Sequence, residues 1–296
     1  MPLSARVIFF GLTGIIAGVV AWPFSEALIH YQASFPSLIV YNIAIGVAVG
    51  LFMGAVFGTS EGIISMSGAK ARGGIVAGLI IGTAGGLAGF TAGQYVMLSL
   101  GTSFFNSTGA FQRYGVPLSR AVGWAVFGVF IGVAEGIRSL SGAKVRNGVI
   151  GGYCGGLVGG LAVEYMRVFA PRNIYARLIG LAALGFCIGV FYGFIEIRLA
   201  KASLLLLSGK LKGREFPLTQ RFTRVGGSDK TDVGIAGYKG VDDVHVEIRK
   251  EKGEFVLTDA GSKTGTFVND EKVKKTILNE GDVIRTGDAS FQFGKR

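Results

Sequence analysis

Six long apolar stretches dominate residues 1–201 and limit what this part of the chain can fold into. They span residues 5–24, 38–58, 73–98, 116–136, 148–163 and 178–195. An α-helix of about 20 residues crosses the hydrocarbon core of a bilayer, and each stretch is that long or nearly so. The sequence therefore predicts an all-α transmembrane bundle of about six helices.

The distribution of charge divides the chain near residue 201. Residues 1–201 hold 13 Lys and Arg against five Glu and no Asp, whereas residues 202–296 hold 17 Lys and Arg against 14 Asp and Glu. Of the 49 Gly, 36 lie in the first part. This change predicts two domains, a glycine-rich membrane domain over 1–201 and a domain outside the membrane over 202–296.

The net charge of +11 does not indicate a nucleic-acid partner. The basic excess stands mostly at the ends of apolar stretches, where Lys and Arg anchor and orient membrane helices. Cys154 and Cys187 lie inside apolar stretches, and the only histidines are His30 and His245. Neither a disulfide framework nor a metal site is predicted, and no cofactor is expected.

The basic residues between the stretches predict the orientation of the helices. Eight lie on one side of the membrane and five on the other, and the richer side is expected to be cytoplasmic. This places both termini inside the cell and the protein in the inner membrane. The eight are Arg6, Lys70, Arg72, Arg138, Lys144, Arg146, Arg198 and Lys201, and the five are Arg113, Arg120, Arg167, Arg172 and Arg177.

An internal repeat links two parts of the membrane domain. Residues 61–72, Glu-Gly-Ile-Ile-Ser-Met-Ser-Gly-Ala-Lys-Ala-Arg, recur at 135–146 as Glu-Gly-Ile-Arg-Ser-Leu-Ser-Gly-Ala-Lys-Val-Arg. Gly recurs at every fourth position before and after each copy, and a shorter echo precedes Glu196. The pattern predicts a helical hairpin used three times in parallel orientation. Its basic Ser-Gly turns predict contacts with anionic lipid headgroups.

Glycine at every fourth residue gives a helix one flat face, which allows close packing in lipid. Two arrangements fit this pattern. The faces pack within one chain as a compact bundle, which we favour, or they remain exposed and form a homo-oligomer.

Three acidic residues follow glycine stripes at helix ends. Glu61, Glu135 and Glu196 each end an even-numbered stretch. An ionisable group on a packed membrane face is a functional candidate. The alternative, which we favour because these residues stand at helix ends, is pairing with nearby Lys or Arg at the level of the headgroups.

Residues 202–296 change to short alternating segments separated by Gly, Asn and Asp. Strands are predicted at 203–207, 214–218, 222–225, 244–249, 255–258, 266–268, 272–276, 282–285 and 291–293. Closely spaced strands with turn residues between them predict an all-β sandwich.

This part of the sequence resembles the forkhead-associated (FHA) domain family along its whole length. The matching segments are Leu-Ser-Gly-Lys-Leu-Lys-Gly-Arg-Glu-Phe-Pro-Leu (207–218), Arg-Val-Gly (224–226), Asp-Val-Gly-Ile (232–235), Val-His-Val-Glu-Ile (244–248), Phe-Val-Leu-Thr-Asp (255–259), Ser-Lys-Thr-Gly-Thr-Phe-Val-Asn (262–269) and Leu-Asn-Glu-Gly-Asp-Val-Ile (278–284). The resemblance implies a phosphothreonine-peptide reader whose ligand sits on loops at one end of the sandwich.

The sequence departs from the family at the expected phosphate contacts. The family usually supplies Gly-Arg, then Ser-x-x-His, then Asn-Gly. Here Gly227 follows Gly226 where Arg is expected. Asp242, with Asp243 beside it, stands at the Ser position, and Thr264 replaces Asn. Two acids and a missing arginine predict repulsion of a phosphate.

Other family positions are retained. Ser262, Lys263 and Thr264 still offer hydroxyl groups and one cation to a ligand. The resemblance implies structural roles for five residues that hold the loops and turns, namely Gly226, His245, Asp259, Gly265 and Asn269.

The predicted function is a membrane-anchored interaction or signalling adaptor with a cytoplasmic FHA domain. Its partner is expected to be a protein, either phosphothreonine-bearing or unphosphorylated. No nucleophile–base pair is evident in the membrane part, so we expect no enzymatic activity. The alternative is a transporter or channel whose bundle moves a solute and whose FHA domain regulates it.

Overall fold

The computed structural model describes residues 3–101, 109, 111–170, 173–209, 211–228 and 231–295. The chain separates into two compact units. One, Val7–Glu196, is helical, and the other contains the β-strands. The predicted combination of about six long apolar helices with an all-β sandwich is confirmed.

Six helices in the described part of the chain are long and apolar enough to cross a membrane. They all extend beyond the predicted stretches, because polar residues at their ends continue the helices. The fifth helix differs most, since it has 28 residues and includes the charged residues on both sides of 148–163. The helices are α1 Leu3–His30, α2 Leu38–Ser65, α3 Gly68–Gly101, α4 Val116–Arg138, α5 Gly142–Phe169 and α6 Ile174–Leu199.

The repeated sequence builds the same turn twice, between α2 and α3 and between α4 and α5. Met66 and Leu140 occupy equivalent positions and both adopt left-handed backbone angles, with φ of 52° and 51°. The serine after each accepts a hydrogen bond from the backbone N–H three residues on, at 3.1 and 3.3 Å. A left-handed residue ends one helix, and a serine N-cap begins the next.

The last helix, α6, and the first helix, α1, form a third pair that packs through glycines. A Cβ added to Gly14 of α1 would lie 1.9 Å from the carbonyl oxygen of Gly185 in α6. One added to Gly18 would lie 2.2 Å from that of Leu181. The shorter glycine echo on α6 therefore packs against the first helix, α1.

The glycine faces of α2 and α3 bring two backbones into direct contact. A Cβ on Gly54 would lie 2.1 Å from the Gly78 carbonyl oxygen, and one on Gly74 would lie 1.9 Å from that of Gly58. No side chain fits at such distances, so these positions require glycine for steric reasons. Within the described residues, this face is therefore used inside the chain.

This packing predicts a sharp contrast between two adjacent glycines of α3. Gly74→Ala should lower the stability of the full chain in detergent by about 1–3 kcal/mol, because the methyl group forces two helices apart. Gly73→Ala is the matched control, since its nearest neighbour would be 3.8 Å away, at Arg138. It should be neutral or stabilising by about 0.5–1 kcal/mol. Equal melting temperatures for the two variants would contradict the contact.

The described residues of the second unit form eleven strands in two sheets. One sheet has the order β2-β1-β11-β10-β7-β8 and the other β4-β3-β5-β6-β9. Side chains such as Leu204, Leu257 and Phe291 are fully buried in its core. The strands are β1 Ala202–Leu206, β2 Glu215–Leu218, β3 Phe222–Gly226, β4 Val233–Gly234, β5 Val246–Glu251, β6 Glu254–Asp259, β7 Thr266–Val268, β8 Glu271–Val273, β9 Lys275–Leu278, β10 Val283–Thr286 and β11 Ala289–Lys295.

The single strand predicted over 272–276 is wrong. The structure divides it into β8, which pairs with β7, and β9, which pairs with β6 in the opposite sheet. The crossing falls at Lys274, whose carbonyl accepts a hydrogen bond from Asp259 N–H at 2.9 Å. Sequence alternation alone does not show that a continuous extended segment changes sheets. The two-residue strand β4 was not predicted either.

Candidate functional site

Strand pairing brings the predicted ligand loops to one end of the sandwich. β3 and β6 each run antiparallel to β5, with Val225 opposite Val246 and Val246 opposite Asp259. The loops that leave β3 and β6 therefore lie beside the loop that enters β5. These loops contain the six predicted contact residues, Gly227, Asp242, Asp243, Ser262, Lys263 and Thr264.

Backbone hydrogen bonds join the loop after β3 to the loop before β5. The N–H of Gly227 donates to the Asp242 carbonyl at 2.9 Å, and that of Ser228 donates to the Asp243 carbonyl at 3.2 Å. A Cβ on Gly226 would lie 2.2 Å from the Asp243 carbonyl oxygen, so this close approach requires glycine. Gly226 therefore has the structural role that the resemblance implies.

Gly227 lies in a different steric environment. A Cβ there would approach no closer than 3.5 Å, to the Val241 carbonyl oxygen, and its φ lies outside the left-handed region. The backbone would therefore accept the arginine that the family usually has. The cation is missing only because this residue is glycine, since the surrounding fold leaves room for the Cβ of an arginine.

His245 is fully buried and connects two of the loops. Its Nδ1 accepts a hydrogen bond from the Asp242 N–H at 3.2 Å, and its Nε2 lies 3.3 Å from the Gly265 carbonyl oxygen. A neutral imidazole with its hydrogen on Nε2 satisfies both contacts. Gly265 has a left-handed φ of 79°. This pair therefore holds the loops in place.

The Asp242 carboxylate is directed into the loop cluster. Its Oδ2 accepts a hydrogen bond from the backbone N–H of Lys263 at 2.7 Å. An anionic side chain of the protein thus already satisfies a donor in the region where the family binds phosphate. The neighbouring Asp243 is exposed and adds a second acid.

The two predicted hydroxyl donors have partners inside the domain. The Ser262 hydroxyl donates to Asp259 Oδ1 at 2.6 Å, and the Thr264 hydroxyl donates to the Gly240 carbonyl at 2.7 Å. Their hydrogens are therefore not directed towards a ligand. Lys263 is exposed and keeps its ammonium group at the surface.

Asp259 organises the loop that follows β6. The sequence indicated this residue only as part of a family motif. Its carboxylate accepts hydrogen bonds from Ser262 and from the Thr266 hydroxyl at 2.6 Å. Burial acts to raise the pKa of Asp259, but these hydrogen bonds outweigh it and hold the pKa below its ordinary value. Asp, Gly and Ser within the four residues Asp-Ala-Gly-Ser (259–262) are typical of a turn, so the sequence contained this signal.

Asn269 follows the last residue of β7 and stabilises a turn. Its backbone is left-handed, with φ of 50°. Its side-chain Nδ2 donates to Asp282 Oδ1 at 2.8 Å, and its side-chain Oδ1 accepts from Val283 N–H at 2.9 Å. The structure places it as a structural residue outside the candidate site.

Glu61 and Glu135 lie at one end of the helical unit and form ion pairs. Lys144 Nζ lies 3.8 Å from Glu61 and 3.6 Å from Glu135, so it connects the two copies of the repeat. Arg138 makes a bidentate contact with Glu135, at 2.8 and 2.7 Å. Glu196 is buried in the last turn of α6. This geometry matches pairing at helix ends.

No group of three potential metal ligands occurs among the described residues.

Comparison with known proteins finds similar sequences and structures for the β-strand part of the chain. Residues 205–296 match the family described as "Inner membrane component of T3SS, cytoplasmic domain". Over 110 residues, 36% of this chain, the sequence is 34% identical to the glycogen accumulation regulator GarA of Mycolicibacterium smegmatis, of which it covers 66%. It is 35% identical over 97 residues, 31% of this chain, to the oxoglutarate dehydrogenase inhibitor of Corynebacterium efficiens, of which it covers 64%.

The chain thus spans less than two thirds of the length of these relatives. A solved structure of the FhaA FHA domain, complexed with the intracellular domain of Rv3910, is 30% identical to this chain, with a TM-score of 0.29. It is matched over 31% of this chain and 98% of its own length. The β-sandwich that follows the six helices is a forkhead-associated domain, a protein-interaction module.

Proposed function

We propose that the chain is a membrane-anchored adaptor whose FHA domain binds a protein partner without requiring phosphothreonine. The observation that carries this proposal is the hydrogen bond from Lys263 N–H to the Asp242 carboxylate, at 2.7 Å. The Asp242 carboxylate already accepts the hydrogen bond of one backbone donor in the ligand loops. Gly227, at the position where the family has arginine, has no side chain.

Electrostatics supports this proposal. A phosphothreonine carries about 1.5–2 negative charges and needs cations and donors already directed at it. At this site it would meet the carboxylates of Asp242 and Asp243, and it would find the hydroxyl hydrogens of Ser262 and Thr264 donated elsewhere. The loops retain their scaffold and an exposed surface, which suit an unphosphorylated protein segment.

Exposed apolar side chains support a membrane location for the helices. Ile8, Ile80 and Ile179 are 63%, 66% and 54% exposed on the outer faces of α1, α3 and α6. Large apolar areas on a protein surface indicate contact with lipid or with another protein. The matched family is described as an inner-membrane component, and the basic residues favour a cytoplasmic FHA domain.

A regulatory role suits the relatives better than a catalytic one. Two similar proteins are described as a regulator of glycogen accumulation and as an inhibitor of oxoglutarate dehydrogenase. We propose that this chain likewise acts by binding a protein and that it catalyses no reaction itself. The helices would hold the interaction module at the membrane.

Peptide binding tests the phosphate-independent proposal. We expect the full chain in detergent to bind phosphothreonine peptides no better than the same peptides without phosphate, measured by fluorescence anisotropy across a peptide library. Gly227→Arg combined with Asp242→Ser should create a preference of about tenfold or more, because each charged hydrogen bond contributes about 1.5–3 kcal/mol.

Asp243→Ser is the matched control, since it removes a neighbouring acid and leaves the Lys263 contact intact. It should keep the two affinities nearly equal. A wild-type preference of about tenfold or more for the phosphorylated peptides would overturn the proposal.

Protease accessibility tests the proposed orientation. In intact spheroplasts, residues 202–296 should resist added protease, and they should be cleaved only after lysis, because eight basic residues favour the side that carries this domain and five favour the other. Cleavage within the FHA domain before lysis would show that it lies outside the cell.

A further inference from the structure

The helical unit encloses a cavity of about 310 Å³ at the end opposite Glu61 and Glu135. All six helices contribute to its wall, where α1, α3 and α5 approach their ends and α2, α4 and α6 begin. Ligand sites in proteins typically have volumes of about 300–1,000 Å³, so this cavity is large enough for a small ligand or a headgroup. One lining residue from each helix, in chain order, is Ile29, Tyr41, Phe90, Arg120, Glu164 and Arg177.

A buried carboxylate lies at the centre of the charged part of the wall. Glu164 is 2% exposed and accepts a hydrogen bond from Trp124 Nε1 at 2.9 Å. Arg120 Nη1 and Arg167 Nη1 lie 3.4 and 3.5 Å from its two oxygens. One carboxylate therefore faces two guanidinium groups, and a buried carboxylate of this kind depends on such partners.

One further charged residue of the wall, Arg177, is paired with Glu26. Arg177 donates from Nε to Glu26 Oε2 at 2.8 Å, which neutralises both groups. The cluster of Arg120, Arg167 and Glu164 thus keeps one unmatched positive charge. Both of its guanidinium groups are partly exposed, with side-chain exposures of 41% and 35%. They retain N–H groups that an anion can reach.

The rest of the wall suits an amphipathic ligand. Phe90 packs edge-to-face on Trp124, with ring centroids 5.2 Å apart, and both line the cavity. On the α2–α3 side, Asn42 Nδ2 donates to Gln94 Oε1 at 3.2 Å and adds a polar patch. Aromatic walls beside a few convergent polar groups are typical of ligand sites.

We propose that this cavity binds a ligand through its phosphate group, with Arg120 and Arg167 as the main contacts. Guanidinium groups match phosphate oxygens in charge and geometry. A phosphate has enough oxygens to contact both arginines. The cluster has one unmatched positive charge, so a single anionic group is enough to balance it. The phosphate belongs either to a membrane phospholipid or to a soluble phosphate ester.

Binding to the full chain in detergent distinguishes these sources. Native mass spectrometry would measure one-to-one binding of three probes: dioleoyl phosphatidylglycerol, dioleoylglycerol, which lacks the phosphate, and glycerol 3-phosphate. Binding of the phospholipid but not of glycerol 3-phosphate assigns a lipid ligand, and the reverse assigns a soluble one. Failure of both phosphate probes, or equal binding of dioleoylglycerol and the phospholipid, would overturn the proposal.

Two variants locate the binding. Arg120→Gln should weaken binding of the phosphate probe by about tenfold or more, since it removes a charged hydrogen bond. Arg113→Gln is the matched control, because Arg113 is exposed near the same end of the unit and does not line the cavity. It should bind as the wild type does, and equal losses in the two variants would overturn the assignment.

A third variant protects the test against misfolding. Met97→Trp fills part of the cavity and leaves every charged residue in place. It should also lose binding, while its melting temperature stays close to that of the wild type. Unchanged affinity in this variant would show that the phosphate binds elsewhere.

Discussion

Direct contact between glycine backbones is the constraint on which the helical unit depends. In lipid, burial of apolar side chains contributes little to helix association, so close packing must supply it. Gly54 against Gly78, and Gly14 against Gly185, leave no room for a methyl group. This contact also sets the register of the helices, and the register decides which polar side chains meet at their ends.

The two ends of the unit use this register differently. At the end with the repeated turns, Lys144 and Arg138 pair with Glu61 and Glu135, and the charges are compensated. At the other end, Glu164 is shared between two arginines beside a cavity. A single fold thus combines an end where Lys144 and Arg138 pair with two glutamates and a hollow end where two arginines flank one buried carboxylate.

The FHA domain keeps its loop scaffold although the residues at the expected phosphate contacts differ from those usual in the family. His245 and Gly226 hold the loops through contacts inside the domain. Asp242 serves two purposes, because its N–H bonds to His245 and its carboxylate bonds to Lys263. The acid at this position therefore stabilises the loop cluster, and in the proposed function it also disfavours an incoming phosphate.

Hydropathy, alternation and motif spacing are local properties, so the sequence alone was enough to predict the six helices, the β-sandwich and the departures at Gly227 and Asp242. It did not determine that α6 pairs with α1, that residues 272–276 change sheets, or that Thr264 donates its hydroxyl to Gly240. Nor did it show that Glu164 lies 3.4 Å from Arg120, 44 positions away. Only the tertiary structure brings such residues together, because their contacts depend on helix packing and strand pairing over long separations in the chain.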